Sequence, residues 1–274
     1  MNEAFISSKG MLPQADVAVV VLSCDRYRDL WRPFFELFFR NWAGCRYPVY
    51  LFSNQIRCPD ARVVTILSGE DRTWSESIKR CLEQLHHRHV WLFFDDVFLD
   101  RPVDEAKLRR LEDFVAVRDP EYLRFRKYPK PDKRIDRHFG RCREGVLYRT
   151  SIFAIWKRAT LIELLDASES AWEFEHNSVA RSSAYSGFYG TYDEYFSYVH
   201  GIEKGIWTRD AVQDLRGMSV EPDLTARLQM TDVQHAAYRR AMFRTAIFNR
   251  TPSALKPLLL QGSRYLRRCL VKRG

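Results

Sequence analysis

The chain has 274 residues, of which 46% are hydrophobic and 29% are charged, as is ordinary for a folded protein. Met1–Gln14 lacks the basic start and apolar run of a signal peptide, and no stretch reaches the ~18 apolar residues that a membrane-spanning helix needs. The six cysteines are scattered, which excludes a zinc ribbon and argues against a disulfide framework. We therefore expect a cytoplasmic protein with free thiols.

The formal net charge of +9 is a property of the C-terminal tail. Ten basic residues and no acidic residue follow Asp232. The part of the chain up to Asp232 therefore contains 34 basic and 35 acidic residues and is close to neutral. The tail also contains apolar residues, and Pro252 and Pro257 interrupt it, which predicts two short helices. Such a segment is typical of binding to an anionic membrane surface. The alternative is a helix packed on the main domain with a solvated basic face.

In the first hundred residues, strand-like apolar runs alternate with helical patterns, which predicts a parallel α/β sheet. The predicted strands span residues 16–22, 48–52, 63–67 and 89–94. The predicted helices begin at Asp29, at the capping-box sequence Thr73–Glu76 and at Asp104. Further along the chain we predict a strand or turn at 146–148, a helix at about 152–165 and a loop-rich region marked by glycines from 187 to 205.

Small or acidic polar residues follow each of the four predicted strands. They are Ser23 and Asp25, then Ser53 and Asn54, then Gly69 to Asp71, then Asp95 and Asp96. In open α/β sheets, ligands bind in the crevice beyond the carboxyl ends of the strands. Residues of these types also form ordinary turns. Their recurrence after four strands favours a ligand-binding crevice.

The adjacent carboxylates of Asp95 and Asp96 come directly after an apolar strand. Two neighbouring acids repel each other unless a cation or hydrogen-bond donors compensate. Mn²⁺ or Mg²⁺ bound to a nucleotide diphosphate is a natural compensator, because these cations prefer carboxylate and phosphate oxygens. The alternative is a turn in which an aspartate caps the following segment.

Four short motifs occur in the order Val17–Tyr27 (VAVVVLSCDRY), Gly69–Ser75 (GEDRTWS), Trp91–Asp100 (WLFFDDVFLD) and Trp172–Glu175 (WEFE). As an ordered set they resemble a group of bacterial glycosyltransferases with the GT-A fold, found among enzymes that build surface polysaccharides such as lipopolysaccharide and capsule. The resemblance implies a Rossmann-like nucleotide-binding sheet with flanking helices, followed here by the basic helical tail. It also implies transfer of a sugar from a nucleotide-sugar donor to a glycan or lipid-linked acceptor.

The resemblance divides the chain and assigns the candidate site. We predict an N-terminal extension (residues 1–14), a catalytic domain (15–235, with a nucleotide-binding half at 15–120 and an acceptor half at 121–235) and the amphipathic tail (236–274). In this family the acidic pair is the counterpart of the DxD element that holds the metal and the donor diphosphate, although here the two aspartates are adjacent. The predicted donor-binding residues are Ser23, Asp25, Asp71, Trp74, Ser75, Asp95 and Asp96, the last two also binding the metal.

An inverting transfer needs one carboxylate to take the proton from the acceptor hydroxyl. By resemblance Glu175 is that base, while Trp172 and Glu173 contact the acceptor sugar. Acids are also favoured at a helix N-terminus without any catalytic role. Glu173 and Glu175 are two residues apart and therefore diverge in a helix, so only one of them is expected to face the reaction.

Three other features have open interpretations. The basic stretch 124–143 is either a lid over a phosphate or a solvated loop. The spacing of His86, His87 and His89 suits no standard zinc site. The sequence Lys204–Trp207 matches the family's pattern near the active-site floor.

Two other function classes remain as alternatives. A glycoside hydrolase would use paired carboxylates such as Glu173 and Glu175, and would release sugar without a nucleotide. A nucleic-acid-binding protein would use the basic tail, but no reader motif supports it and we expect no nucleic-acid partner. Neither a dinucleotide-binding glycine motif nor a P-loop occurs.

On this sequence we predict membrane contact through residues 238–273 at the inner face of the cytoplasmic membrane.

Overall fold

The computed structural model describes residues 16–70, 72–146 and 149–251, and it comprises two compact units, residues 1–229 and 230–274. The strands of the first unit are β1 (Val17–Leu22), β2 (Val49–Ser53), β3 (Val63–Leu67), β4 (His89–Phe94), β5 (Val97–Leu99), β6 (Tyr122–Arg124), β7 (Lys133–Arg134), β8 (Phe139–Arg141), β9 (Ile155–Lys157), β10 (Phe188–Thr191), β11 (Tyr198–His200), β12 (Ile202–Glu203) and β13 (Ile206–Trp207). Its helices are α1 (Arg28–Asn41), α2 (Trp74–Glu83), α3 (Glu105–Arg118), α4 (Arg158–Leu164), α5 (Ala171–Arg181) and α6 (Arg209–Gly217). The second unit contains α7 (Asp232–Arg250).

A nine-stranded sheet with the order β3-β2-β1-β4-β9-β6-β10-β8-β7 forms the centre of the first unit. Its first four strands are mutually parallel. The order β3-β2-β1-β4 matches the first four positions of the Rossmann order 3-2-1-4-5-6. We call these four strands the parallel half-sheet. The predicted fold class, an α/β sheet with a parallel first half and flanking helices, is confirmed.

Strand β1 is buried on both faces, as its unbroken apolar sequence predicts. Val17, Val19 and Val21 pack with the phenylalanines of α1, whereas Ala18 and Val20 pack with the apolar face of α2. Side chains alternate across a strand, so a single strand contributes to both hydrophobic layers. Its carboxyl end is thereby fixed from both sides.

Helix α2 begins at the predicted N-cap, Thr73, but the second hydrogen bond of the predicted capping box does not form. The Thr73 side chain accepts a hydrogen bond from the backbone N–H of Glu76 (3.2 Å), while the Glu76 carboxylate bonds Arg80. Ile78, Cys81 and Leu82 form its buried stripe. Arg80, Cys81 and Gln84, in the second half of α2 and directly after it, contact backbone carbonyls at the end of β3.

The predicted helix at 152–165 is wrong in its first half. Residues 155–157 form β9, which runs antiparallel to both β4 and β6, and the helix begins only at Arg158. Ile155 and Trp156 are fully buried between these two strands. Pairing with β4 and β6, which are distant in sequence, therefore overrides the local helical pattern. The local sequence pattern alone does not reveal this pairing.

Two further segments are more regular than predicted. The region marked by glycines contains β10, which lies inside the main sheet between β6 and β8, and β11, which pairs with β5. Within the basic stretch 124–143, Arg124 is buried at the end of β6 inside the sheet, and β7 and β8 form the far edge of the sheet. Residues 125–132 and 135–138 connect these strands.

The second unit is described through residue 251, where α7 forms one helix of 19 residues. Val233, Phe243 and Ile247 are exposed on it. The remainder of the predicted tail, residues 252–274, and the predicted extension 1–14 lie outside the described residues. Within the described part of the chain, no helix combines the length and the apolar character needed to cross a bilayer.

Candidate functional site

A cavity of about 680 Å³ opens at the carboxyl edge of the parallel half-sheet. Five segments contribute most of its lining residues: the loop after β1 (Ser23, Cys24, Tyr27), the turn after β4 (Asp95, Asp96), the start of α2 (Trp74), the first two turns of α5 (Trp172, Glu175), and the segment from the end of β11 to the turn after β12 (His200, Glu203, Lys204, Gly205). The polar residues after β1 and β4 therefore meet at one crevice. Those after β2 and β3, Ser53, Asn54, Gly69 and Glu70, are not among its lining residues.

Asp95 is the most buried acid of this cavity, with 6% of its surface exposed. Its Oδ2 accepts a hydrogen bond from the Ser23 hydroxyl, and Ser23 Oγ in turn accepts one from Trp31 Nε1 (2.7 Å). Burial raises the pKa of Asp95 well above its usual value, and the neighbouring Asp96 raises it further, whereas the Ser23 hydrogen bond and Arg227 lower it. The surrounding protein therefore compensates the negative charge of ionised Asp95 only in part.

Asp96 follows on the same turn and is half-buried. Its Oδ2 lies 3.3 Å from His200 Nε2, and its carbonyl accepts a hydrogen bond from the backbone N–H of Gly201 (2.7 Å). Burial raises the pKa of Asp96, and the charge of His200 opposes this increase. Two adjacent acids with raised pKa values in one crevice would be stabilised by a bound cation.

Glu175 lies on α5 with its carboxylate at the cavity. Its Oε1 accepts a hydrogen bond from the backbone N–H of Ile152 (2.9 Å), which fixes its orientation. Burial raises the pKa of Glu175, while the Ile152 hydrogen bond and the charge of Arg126 lower it. Three residues earlier, Trp172 lines the cavity and exposes 83% of its surface. A carboxylate with a raised pKa beside an exposed aromatic ring is chemically suited to accept a proton from a bound hydroxyl.

Glu173 points elsewhere. Its carboxylate accepts hydrogen bonds from the Ser170 backbone (2.8 Å) and hydroxyl (2.7 Å), which completes a capping box at the start of α5. It does not line the cavity. The expected divergence of Glu173 and Glu175 is therefore observed, and its physical reason is the N-cap of the helix.

Two other predicted donor-binding residues also lie away from the cavity lining. The Asp25 carboxylate accepts hydrogen bonds from the backbone N–H groups of Asn54, Gln55 and Ile56, each 3.1 Å long, and so holds the loop after β2. Ser75 is fully buried in the first turn of α2, and its backbone N–H bonds Glu169. Asp71 lies outside the described residues.

Ser23, Trp74, Asp95, Asp96, Trp172 and Glu175 are thus the predicted residues that the structure brings together at one cavity. Sequence reasoning missed Tyr27 and His200, and it also missed Arg227, which stabilises the cavity wall. Arg227 bonds both carboxylate oxygens of Asp29 (2.9 Å each) and lies over the Tyr27 ring at 4.3 Å. Arg227 is 198 positions from Asp29 in sequence, so no local pattern signals the pair.

We predict that Asp95→Asn raises the Tm of the protein in EDTA at pH 7.5. The folded chain raises the pKa of Asp95 above that of the unfolded chain, so ionisation of this group favours unfolding increasingly as the pH rises above about 4. Asparagine still accepts the Ser23 hydrogen bond and carries no charge. The expected gain is about 2 kcal/mol, or roughly 4–8 °C, and it should shrink towards pH 4.5. Calorimetry across this pH range checks it.

Asp113→Asn is the matched control, because Asp113 is exposed on α3. A gain in Tm that is the same at pH 4.5 and 7.5, or equal in the two variants, would contradict the electrostatic cause.

No protein-family model matches this sequence, and neither does any curated protein. Among solved structures, S. aureus TarS 1–349 matches at 10% identity over 67% of this chain and 59% of that one, with a TM-score of 0.48. The same protein in complex with UDP-GlcNAc matches at 12% identity over 74% and 65%, with a TM-score of 0.48. The bifunctional IspDF from Campylobacter jejuni matches at 14% identity over 61% and 47%, with a TM-score of 0.36. This chain thus spans less than two thirds of each of these structures, and likenesses of this degree carry no conclusion about activity.

Proposed function

We propose that this chain is a glycosyltransferase that takes a sugar from a nucleotide-sugar donor and passes it to a hydroxyl of a glycan or lipid-linked acceptor. One observation carries the proposal. The buried carboxylate of Asp95 and the adjacent, half-buried carboxylate of Asp96 line the same cavity as Glu175, at the carboxyl edge of a Rossmann-type half-sheet. That edge is where nucleotides bind to such sheets, and the two kinds of acid match the two tasks of the transfer.

Asp95 and Asp96 fit a divalent cation that is shared with the donor diphosphate. One oxygen of each carboxylate already has a protein partner, and one remains for a cation. Among the described residues, no group of three or more His, Cys, Asp or Glu side chains is arranged to hold a metal. Phosphate oxygens and water would complete the shell, as is usual for Mg²⁺. When bound, Mn²⁺ or Mg²⁺ would supply positive charge to the leaving diphosphate.

In the proposed transfer, the acceptor oxygen attacks the anomeric carbon while the bond from that carbon to the diphosphate oxygen breaks. Both electrons of the broken bond go to the diphosphate. The acceptor proton passes to the carboxylate of Glu175, which the Ile152 N–H holds in place. Attack opposite the leaving group inverts the configuration of the anomeric carbon. The exposed ring of Trp172 offers a flat apolar face to the acceptor sugar.

The two rival functions find less support in the geometry. A hydrolase built on Glu173 and Glu175 needs both carboxylates at the reacting centre, but Glu173 caps α5. A nucleic-acid-binding function gives the acids of the cavity no role, because Asp95, Asp96 and Glu175 repel the phosphates of a nucleic-acid backbone. Synthesis of a bacterial surface polysaccharide is the biological setting we propose for the transferase.

The direct test is a thermal-shift screen of UDP-, GDP-, ADP- and CDP-sugars with and without Mn²⁺. A donor at 100 times its Kd stabilises the folded chain by about 2.7 kcal/mol, which corresponds to a rise in Tm of roughly 5–10 °C. Asp96→Asn should abolish most of the Mn²⁺-dependent part of this rise, whereas Asp113→Asn should keep it. If no nucleotide sugar raises the Tm of the wild-type protein under any of these conditions, the assignment fails.

A second test concerns the base. We expect Glu175→Gln to lower kcat by about 10²- to 10⁴-fold with donor affinity unchanged, because proton removal is lost and binding is not. In the wild-type enzyme the carboxylate must be ionised. Since burial raises the pKa of Glu175 above its usual 4.5, kcat/KM should fall as the pH decreases through that raised value. The exposed Glu83→Gln on α2 is the control and should keep full activity.

Two results would remove this role from Glu175. One is a decrease of kcat/KM at low pH that is the same in the residual activity of Glu175→Gln as in the wild-type enzyme. The other is a product that retains the anomeric configuration of the donor, determined by NMR.

We also propose that α7 and the basic residues after it bind an anionic membrane surface at the cytoplasmic face. Val233, Arg240, Arg244 and Ile247 are separated by seven, four and three residues, so they share one face of α7, and all four are exposed. Basic and apolar side chains are therefore mixed on this face. Long arginine side chains accommodate such mixing, because their apolar stems pack with apolar groups while the charges reach phosphate.

Co-sedimentation of the full chain with vesicles tests this surface. Vesicles with 30% phosphatidylserine should retain the protein at low salt and release it at about 1 M salt, where charges are screened within about 3 Å. Arg240→Gln with Arg244→Gln should weaken binding by about tenfold or more, at about 1 kcal/mol per arginine. Lys133→Gln with Arg134→Gln on β7 removes the same charge from the first unit. Equal binding to uncharged vesicles, or equal loss in both double variants, would contradict a specific role for α7.

A further inference from the structure

Lys204 occupies an unusual position at the rim of the cavity. It and Gly205 form the two-residue connection of the β12–β13 hairpin, with φ values of 51° and 80°. Positive φ at both central residues defines a type I′ turn, for which Asn-Gly is the preferred sequence. A lysine in the left-handed region is uncommon and is disfavoured by contacts of its Cβ. The turn itself therefore gives no reason for a lysine at this position.

The hairpin is held firmly at its base and at Gly205. Trp207 is buried and stacked on Phe98, with ring centroids 5.6 Å apart. A Cβ on Gly201 would lie only 2.3 Å from Cε2 of Phe98, so the backbone approaches this ring closely. Arg227 Nη1 donates to the carbonyl of Gly205 (2.9 Å). These contacts fix the backbone that carries Lys204 relative to the rest of the cavity wall.

The charges around the cavity explain what a lysine can do there. Its lining residues include four carboxylic acids, Asp95, Asp96, Glu175 and Glu203, whereas Lys204 is the sole lysine or arginine among them. Within the described part of the chain, the Lys204 ammonium has no hydrogen-bond or ion-pair partner, and the residue is exposed. An unpaired cation on a fixed, strained turn at the cavity rim is placed for a ligand rather than for the fold.

We propose that Lys204 binds the diphosphate of the nucleotide-sugar donor. This inference rests on the proposed function and adds a residue to it. Ammonium groups bind phosphate oxygens as point charges, without a required bidentate geometry, so a lysine on a short turn suffices. As the bond from the anomeric carbon to the diphosphate oxygen breaks, its two electrons add negative charge to that oxygen. The Lys204 ammonium stabilises this charge while the acceptor proton goes to Glu175.

Substitution by asparagine separates the charge from the turn. Lys204→Asn creates the Asn-Gly pair that a type I′ turn prefers, so the variant should fold at least as well as the wild-type protein. The exposed Lys133→Asn on β7, at the opposite edge of the main sheet, removes an equal charge away from the cavity. Lys204→Arg keeps a cation at the rim.

Titration calorimetry should compare UDP, GDP, ADP and CDP with the corresponding nucleoside monophosphates, in Mn²⁺, for the wild-type chain and these three variants. For the nucleotide that binds, Lys204→Asn should weaken diphosphate binding by about tenfold and monophosphate binding by less than about threefold. The salt dependence of diphosphate affinity should also decrease. Lys133→Asn should match the wild-type protein, and Lys204→Arg should retain most of the affinity.

Each outcome has one meaning. If no nucleoside diphosphate binds the wild-type chain, the proposed function fails and the inference fails with it. If a diphosphate binds the wild-type chain and Lys204→Asn equally well, Lys204 does not contact the diphosphate, and the transferase proposal stands without it. Equal weakening of monophosphate and diphosphate by Lys204→Asn would assign Lys204 to the first phosphate or to the general field of the cavity, and would also overturn the inference.

Discussion

The burial of two neighbouring acids at the end of β4 is the constraint on which the cavity depends. Asp95 is almost completely removed from water, and the hydrogen bond from Ser23 only partly offsets the cost of its charge. That bond belongs to a chain from Trp31 through Ser23 to Asp95, which joins α1, β1 and β4. The fold thus uses rigid elements to hold an unfavourable charge at a defined point, which is an arrangement found at functional sites.

The remaining walls of the cavity come from distant parts of the chain. Arg227 connects the start of α1 and the loop before it, through Asp29 and Tyr27, to the hairpin that carries Lys204. Glu173 and Glu175 are two positions apart in α5 and so point in different directions, and the capping box engages the carboxylate of Glu173 at Ser170. Local rules of helix and turn formation therefore decide which acids face the cavity, while long-range ion pairs decide how its walls meet.

Much of this architecture can be predicted from the sequence because it rests on local patterns. The unbroken apolar run of β1, the N-cap at Thr73 and the acids after β4 are each visible within about ten residues. The failures have the opposite character. The sequence predicts a helix where β9 forms, because the partners of this strand, β4 and β6, are remote in sequence. Asp25 and Ser75 resemble site residues from their places after a strand and at a helix start. In the structure the Asp25 carboxylate holds the backbone of the loop after β2, and Ser75 is fully buried in α2.

The arrangement of the tryptophans has an optical consequence. Of the seven, Trp31, Trp42, Trp91, Trp156 and Trp207 are buried, Trp74 is half-buried, and Trp172 alone is largely exposed, at the mouth of the cavity. Indole emission depends on contact with water, so a dissolved quencher such as iodide reaches one chromophore in preference to the other six. The protein therefore carries an intrinsic fluorescent reporter at the mouth of the cavity, and needs no attached dye to signal its occupancy.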